Sequence, residues 1–358
     1  MDFTFKKYKT LLHTLKSQGF SFSSNIDLTE NADQRTIILR HDVDKLPENS
    51  LEFAKIEAGI GLKGTYYFRA VPESRNEQII IRISDLGHEV GYHYEDVSLA
   101  AERLRTQGTG LRAKKSKKYV VSSKEYEEFE KELVEIAIES FAENLENLRK
   151  IAPVKTICMH GSPLSRWDSR LLWKYYDYHD FGIIGEPYFD INFDKVLYLT
   201  DTGRRWNGEN VAVRDKAQGS ILRKASDGKA GLRAQGENPY KDWKVKPFKY
   251  REKPTSSPSQ ERSVFLKDPG PRTQPARRSF SEGGEPAPRT PHPKPFPSFH
   301  STSDIIKAAK EGRLPDQIMM TFHPQRWTDK TGPWVKELVW QNVKNVGKFF
   351  IVKARNER

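Results

Sequence analysis

Two carboxylates, Asp42 and Asp44, stand two positions apart in the run Arg40-His41-Asp42-Val43-Asp44. Carboxylate beside imidazole supports two kinds of chemistry. It can hold a divalent cation through oxygen and nitrogen, and it can move a proton at a reacting atom. Four more clusters of this character follow along the chain. They are His88, Glu89, His93, Glu95 and Asp96; then His160, Ser162, Arg166 and Asp168; then Asp201, Arg204, Arg205 and Trp206; and finally His323, Gln325, Arg326 and Trp327. Cys158 is the only cysteine, which excludes an intramolecular disulfide and a cysteine-rich zinc site. It sits in the apolar run Thr156-Ile157-Cys158-Met159, where a buried, inert thiol is expected. A metal in this protein must be held by carboxylates and imidazoles.

The clusters need elements to position them, and the pattern around them supplies candidates. Short apolar runs over 36–39, 65–68, 89–92, 155–159, 182–184, 196–200 and 318–322 predict strands, the first ending at the His-Asp-Val-Asp segment. Helix-like spacing is found over 47–61, 77–86, 122–150 and 333–349, and residues 1–16 form an amphipathic pattern without the uninterrupted apolar core of a secretory signal. Strands alternating with helices imply parallel strands with crossover connections, hence an α/β sheet or barrel. In such folds the loops after the strands gather at one end, where active sites are built. Several clusters directed to that end make a stronger signal than any one of them. Asp42 and Asp44 could instead serve as caps or turn residues. His93, His160 and His323 could be hydrogen-bonded imidazoles without further role, and His88 is expected to pack or cap.

Charge divides the chain unevenly. The net charge is +12, but between Lys216 and His300 there are 18 Lys/Arg against 8 Asp/Glu, which is +10 and leaves about +2 for the rest. The same segment holds 13 of the 21 prolines. Residues 217–298 are therefore expected to be a basic, Pro-rich, disordered insertion in a surface loop, and 1–216 with 299–358 one domain. That location of the charge argues against nucleic acid as the partner, with polyanion binding by the insertion as a minor alternative. A hydrophobic fraction of 36% and a mean hydropathy of −0.74 fit a folded part plus such a segment. No run approaches the roughly 20 apolar residues of a membrane span, and a cytoplasmic protein is expected.

Leu39-Arg40-His41-Asp42-Val43-Asp44, followed by Pro47, resembles the first motif of the polysaccharide deacetylases, the NodB-homology group or carbohydrate esterase family 4. The resemblance is nearest to a variant branch with His-Asp-Val-Asp that includes WbmS-like proteins linked to surface-polysaccharide synthesis. Gly87-His88-Glu89-Val90-Gly91-Tyr92-His93 is similar to the second motif, and Thr321-Phe322-His323-Pro324 to the last. The resemblance covers about 35–216 and 299–350. It implies a distorted, incomplete (β/α) barrel that removes an N-acetyl group from a sugar with the help of a divalent ion, zinc foremost, with cobalt or nickel as alternatives. By the same resemblance Asp42 is the base, Asp44 and His93 are metal ligands, and His323 is the acid. The sequence departs from the second motif at Val97, where the family usually has a further metal-binding His. His160 is the preferred replacement, with Glu95 and His41 as alternatives. Asp201 and Trp206 would line the wall that orients substrate or base, and Arg166 or Arg204 would steady the ionised base by a bidentate contact. The implied substrate is an N-acetylated sugar or glycan of lipopolysaccharide or capsule synthesis. The alternatives are an amidohydrolase acting on another C–N bond and a non-catalytic carbohydrate-binding homologue.

Overall fold

Strand β2, Thr36–Val43, is buried along its whole length and organises the protein. It has three parallel neighbours. β1 (Ser21–Ser23) pairs with its first residues, β3 (Thr65–Phe68) pairs with residues 40–43, and β7 (Gln317–Phe322) runs along residues 36–41. With β4 (Glu89–Tyr94), β5 (Val154–Met159) and β6 (Leu197–Thr200) the order is β5-β4-β3-β2-β7-β6, parallel throughout. This is a computed structural model, and it describes residues 1–24, 35–107, 123–161, 167–206 and 296–356. Almost all of the expected insertion at 217–298, and Arg166, lie outside the described residues.

The α/β class and parallel sheet expected from the alternation are present. The helices are α1 (Phe5–Ser17), α2 (Pro47–Gly59), α3 (Glu77–Asp85), α4 (Asp96–Thr106), α5 (Ser123–Arg149), the short α6 (Pro187–Asp190), α7 (Thr302–Lys310) and α8 (Thr331–Asn356). Local chemistry explains their ends. Thr4 caps α1 by accepting from Lys7 N at 3.1 Å, α2 begins with Pro47, and Ser301 with Asp304 forms a capping box at α7. Leu133, Val134, Ala137, Ile138, Phe141, Leu145 and Leu148 of α5 are buried at helical spacing, the packing that makes so charged a helix part of the core. No helix among the described residues is long and apolar enough to cross a membrane.

Two expectations change. β2 does not end at Leu39 but continues through Val43, because β3 supplies partners for Arg40, His41, Asp42 and Val43. Residues 182–184 do not form a strand. Gly182, at φ 66°, ends a 3-10 turn over Tyr178–Phe181, and only an isolated bridge between Thr156 and Gly185 follows.

Candidate metal centre

The extension of β2 decides the site, because alternate residues of a strand point to opposite faces. Arg40 and Asp42 take one face and His41 the other. Arg40 grips Asp42 with both arms, Nε to Oδ1 at 2.7 Å and Nη2 to Oδ2 at 2.6 Å. Burial opposes ionisation of Asp42, but the Arg40 guanidinium, then His93 and His323, outweigh it and hold this carboxyl far below the usual carboxylate range.

Register places His93 on the same face. Asp42 lies beside Tyr67 on β3, and Tyr67 beside Gly91 on β4, two residues before His93. A glycine is required at 91, since a Cβ there would stand 2.3 Å from the Tyr67 ring. His93 Nδ1 meets the carbonyl of Cys158 at 2.8 Å, which sets that nitrogen as the N–H and leaves Nε2 with its lone pair. Burial pushes the His93 pKa down to about 4, so the ring is neutral at pH 7, as a metal ligand must be.

Asp44 and His160 complete a group. His93 Nε2 lies 3.7 Å and His160 Nε2 3.6 Å from Asp44 Oδ1, and the ligand atoms of the three residues are all within 4.8 Å of one another. Around one tetrahedral ion with bonds of roughly 2.0–2.2 Å, neighbouring ligand atoms stand about 3.3–3.6 Å apart, so the observed separations fit with little adjustment. Asp44 Oδ1 is buried and has no hydrogen-bond partner, while Oδ2 accepts from Gln325 Nε2 at 3.0 Å. A buried carboxylate oxygen left bare between two imidazole nitrogens is costly unless a cation completes it. These residues fit a divalent ion.

Outer groups orient the ligands. Glu95 Oε2 stands 2.9 Å from His160 Nδ1 as an ion-pair contact, and Glu95 Oε1 accepts from Arg69 Nε at 2.6 Å. Arg69 Nη1 in turn donates to the Asp44 carbonyl at 3.1 Å. Burial disfavours the His160 cation, but Glu95 and Asp44 more than compensate and raise its pKa, so a cation entering here displaces a proton. Asp42, His93 and Cys158 form a second, fully buried group. Arg40 occupies both Asp42 oxygens and sets its own charge beside that point, so the Asp44 group is the better cation site.

His323 is held by Asp201. Its Nδ1 meets Asp201 Oδ1 at 2.5 Å, and its backbone N donates to Asp201 Oδ2 at 3.0 Å. Arg326 Nη1 and Trp327 Nε1 donate to the same carboxylate at 2.9 and 2.6 Å. Burial works against the Asp201 charge, yet His323 and Arg326 keep its carboxyl below the ordinary range. With Nδ1 on Asp201, Nε2 is the ring nitrogen left for other contacts, and the ring acts electrostatically on both Asp42 and Asp44.

Asp42, Asp44, His93, His160 and Glu95 thus come together, with Asp201 and His323 beside them. His41 does not join them; the pleat turns it to the opposite face, where its Nε2 pairs with Glu57 Oε1 at 2.8 Å. Trp206 lies in an aromatic core, 5.5 Å from the Phe322 ring and 6.4 Å from that of Trp327, with Nε1 donating to Thr302. Arg204 holds no base. It adopts a left-handed backbone at φ 58° and lies between the rings of Phe3 and Trp334. The partner of Asp42 is Arg40, and the link between Glu95 and Asp44 is Arg69. Arg69 directly follows β3, so the rule that strand ends carry the site would have found it.

Searches against family models, curated proteins and solved structures return no match for this chain.

Proposed function

We propose that this protein is a metal-dependent hydrolase of the polysaccharide-deacetylase type, removing an N-acetyl group from a sugar. One observation carries the reading: the Asp44 Oδ1 without a hydrogen bond between His93 and His160, whose Nδ1 atoms face the Cys158 carbonyl and Glu95 Oε2 respectively. Asp44, His93 and His160 would hold a divalent ion, zinc foremost, which when bound lowers the pKa of water and polarises the acetyl carbonyl. Asp42 takes the proton of the attacking water. Arg40 keeps it ionised over the working pH range, at some cost in basicity. His323, held by Asp201, gives a proton to the departing nitrogen. The fold belongs to the same reading: an incomplete (β/α) barrel whose inner face carries Arg40, Asp42 and His93. So does its setting, a cytoplasmic step in building a surface polysaccharide.

The test is metal content together with acetate release from N-acetylhexosamine substrates. One bound ion per chain and acetate release that rises with added Zn²⁺, Co²⁺ or Ni²⁺ is the expected result. Protein that retains fewer than about 0.2 equivalents of metal and gains no activity on metal addition would overturn it. The tight Arg40–Asp42 contact favours a second reading, a non-catalytic glycan-binding homologue, which predicts metal and sugar binding without acetate release.

A further inference from the structure

Helix α8 has its polarity reversed. Turned toward the body of the protein are Trp334, Glu337, Leu338 and Gln341, with Gln341 buried and donating to Glu337 Oε1 at 2.6 Å. Turned outward are Val335, Val339, Trp340 and Val343, which are 46, 57, 51 and 57% exposed. The four-residue spacing puts the three valines in one stripe, with Trp340 alongside. A surface helix ordinarily buries its apolar side and wets its polar one. An apolar stripe directed outward marks a surface that something covers.

The charges around the stripe identify the cover. Lys336 is exposed on the same side of the helix, and Lys344 Nζ lies 5.1 Å from the Trp340 ring centroid. The sequence of α8 holds five Lys/Arg, at 336, 344, 348, 353 and 355, against the single acid Glu337. A second copy of this helix would bring Lys336 and Lys344 against the same two lysines. Valines and a tryptophan flanked by lysines match the pattern of a helix lying in a bilayer interface, with the apolar side among acyl chains and ammonium groups at anionic headgroups.

We infer that the outer face of α8 docks on an anionic lipid surface. The helix is tied to the body by Trp334 Nε1, which donates to the Asp2 carbonyl at 2.7 Å. A substrate whose glycan is carried on a lipid could then enter without leaving the membrane. The inference does not depend on the hydrolase reading, because lipid binding needs no metal.

Co-sedimentation of the full chain with vesicles tests it, comparing phosphatidylglycerol mixed into phosphatidylcholine with phosphatidylcholine alone. The expected result is binding to the anionic vesicles that weakens with salt. The double variant Val339→Glu/Val343→Glu should bind about tenfold more weakly or worse, with an unchanged thermal midpoint, because both positions are exposed. Trp340→Ala should give a smaller loss of the same kind. A double variant that binds like the parent would assign any vesicle affinity to the basic segment 217–298 and overturn the inference. So would absence of vesicle binding, whether the valines then mediate self-association in light scattering or capture of an acidic amphipathic peptide.

Discussion

The two faces of β2 carry nearly the same chemical groups in opposite condition. On one, His41 pairs with Glu57 and its Nδ1 meets the Thr65 carbonyl at 3.3 Å. Tyr8 and Tyr66 donate their hydroxyls to Glu57, the latter at 2.9 Å, and His88 stands 3.5 Å from it. Gly64 is a glycine because a Cβ there would stand 2.8 Å from Glu57 Oε2. Burial works against the Glu57 charge, but His41 and then His88 and Tyr8 outweigh it and keep the carboxyl below its usual range. On the other face, Asp44 Oδ1, His160 Nδ1, Arg40 Nη1, Thr321 Oγ1 and Gln325 Oε1 are buried without a hydrogen-bond partner. Histidine and carboxylate are common to both. What separates structure from site is satisfaction: a closed network stabilises the fold, whereas an open one is arranged for something that arrives later.

The largest expected effect is on the closed face. Glu57→Ala leaves His41, Tyr8 and Tyr66 without their acceptor, and breaking such a buried pair costs about 3–5 kcal/mol, readable as a lower midpoint in urea. A loss below about 1 kcal/mol would break the comparison there. Next is a buried carboxylate held by neutral donors only. Asp96 accepts from Tyr92 Oη at 2.7 Å and from Ser140 Oγ and Asn144 Nδ2 at 2.9 Å, and burial pushes its pKa up to about 6. The folded state therefore binds this proton more tightly than the unfolded chain. Its contribution is fully present below the unfolded value near 4 and is lost as pH rises to about 6, on the order of 3 kcal/mol in all. Urea titrations across that window should show the slope in the parent and lose it in Asp96→Asn.

On the open face the order reverses, with function lost and folding kept. Asp44→Asn should weaken Zn²⁺ or Co²⁺ binding at least about 100-fold in calorimetry, while the metal-free protein keeps its stability within about 1 kcal/mol. Glu95→Gln should cost about tenfold in metal affinity, since it only orients His160. Equal losses of folding from Asp44→Asn and Glu57→Ala would erase the distinction between the faces.

Much of this was legible in the sequence. The parallel sheet followed from strands and helices in alternation, and the strand ends marked the clusters, while the resemblance to the deacetylase motifs singled out Asp42, Asp44, His93 and His323 within them. His160 was expected from the gap at Val97, which is buried in α4. The roles of His41 and Arg40 were not legible, because the sequence placed a strand end at Leu39. Once β3 extends β2 to Val43, the pleat alone sends His41 away and gives Asp42 its arginine. Arg204 and Trp206 shared a strand end with Asp201 yet packed elsewhere. A loop after a strand brings its residues near one end without fixing where each side chain turns.

The eight residues of β2 also limit how this protein can change over time. The strand is read on both sides, by Glu57 on one and by His93 and its neighbours on the other. An insertion of one residue before Arg40 would exchange the sides, putting a guanidinium among aromatic rings and an imidazole where the carboxylate belongs, and a deletion would put the carboxylate among those rings. Single-residue length changes are therefore closed to this strand, although substitutions at individual positions are not. Lineages descended from this chain should keep the spacing of Arg40, His41, Asp42 and Asp44 even where the residue types drift.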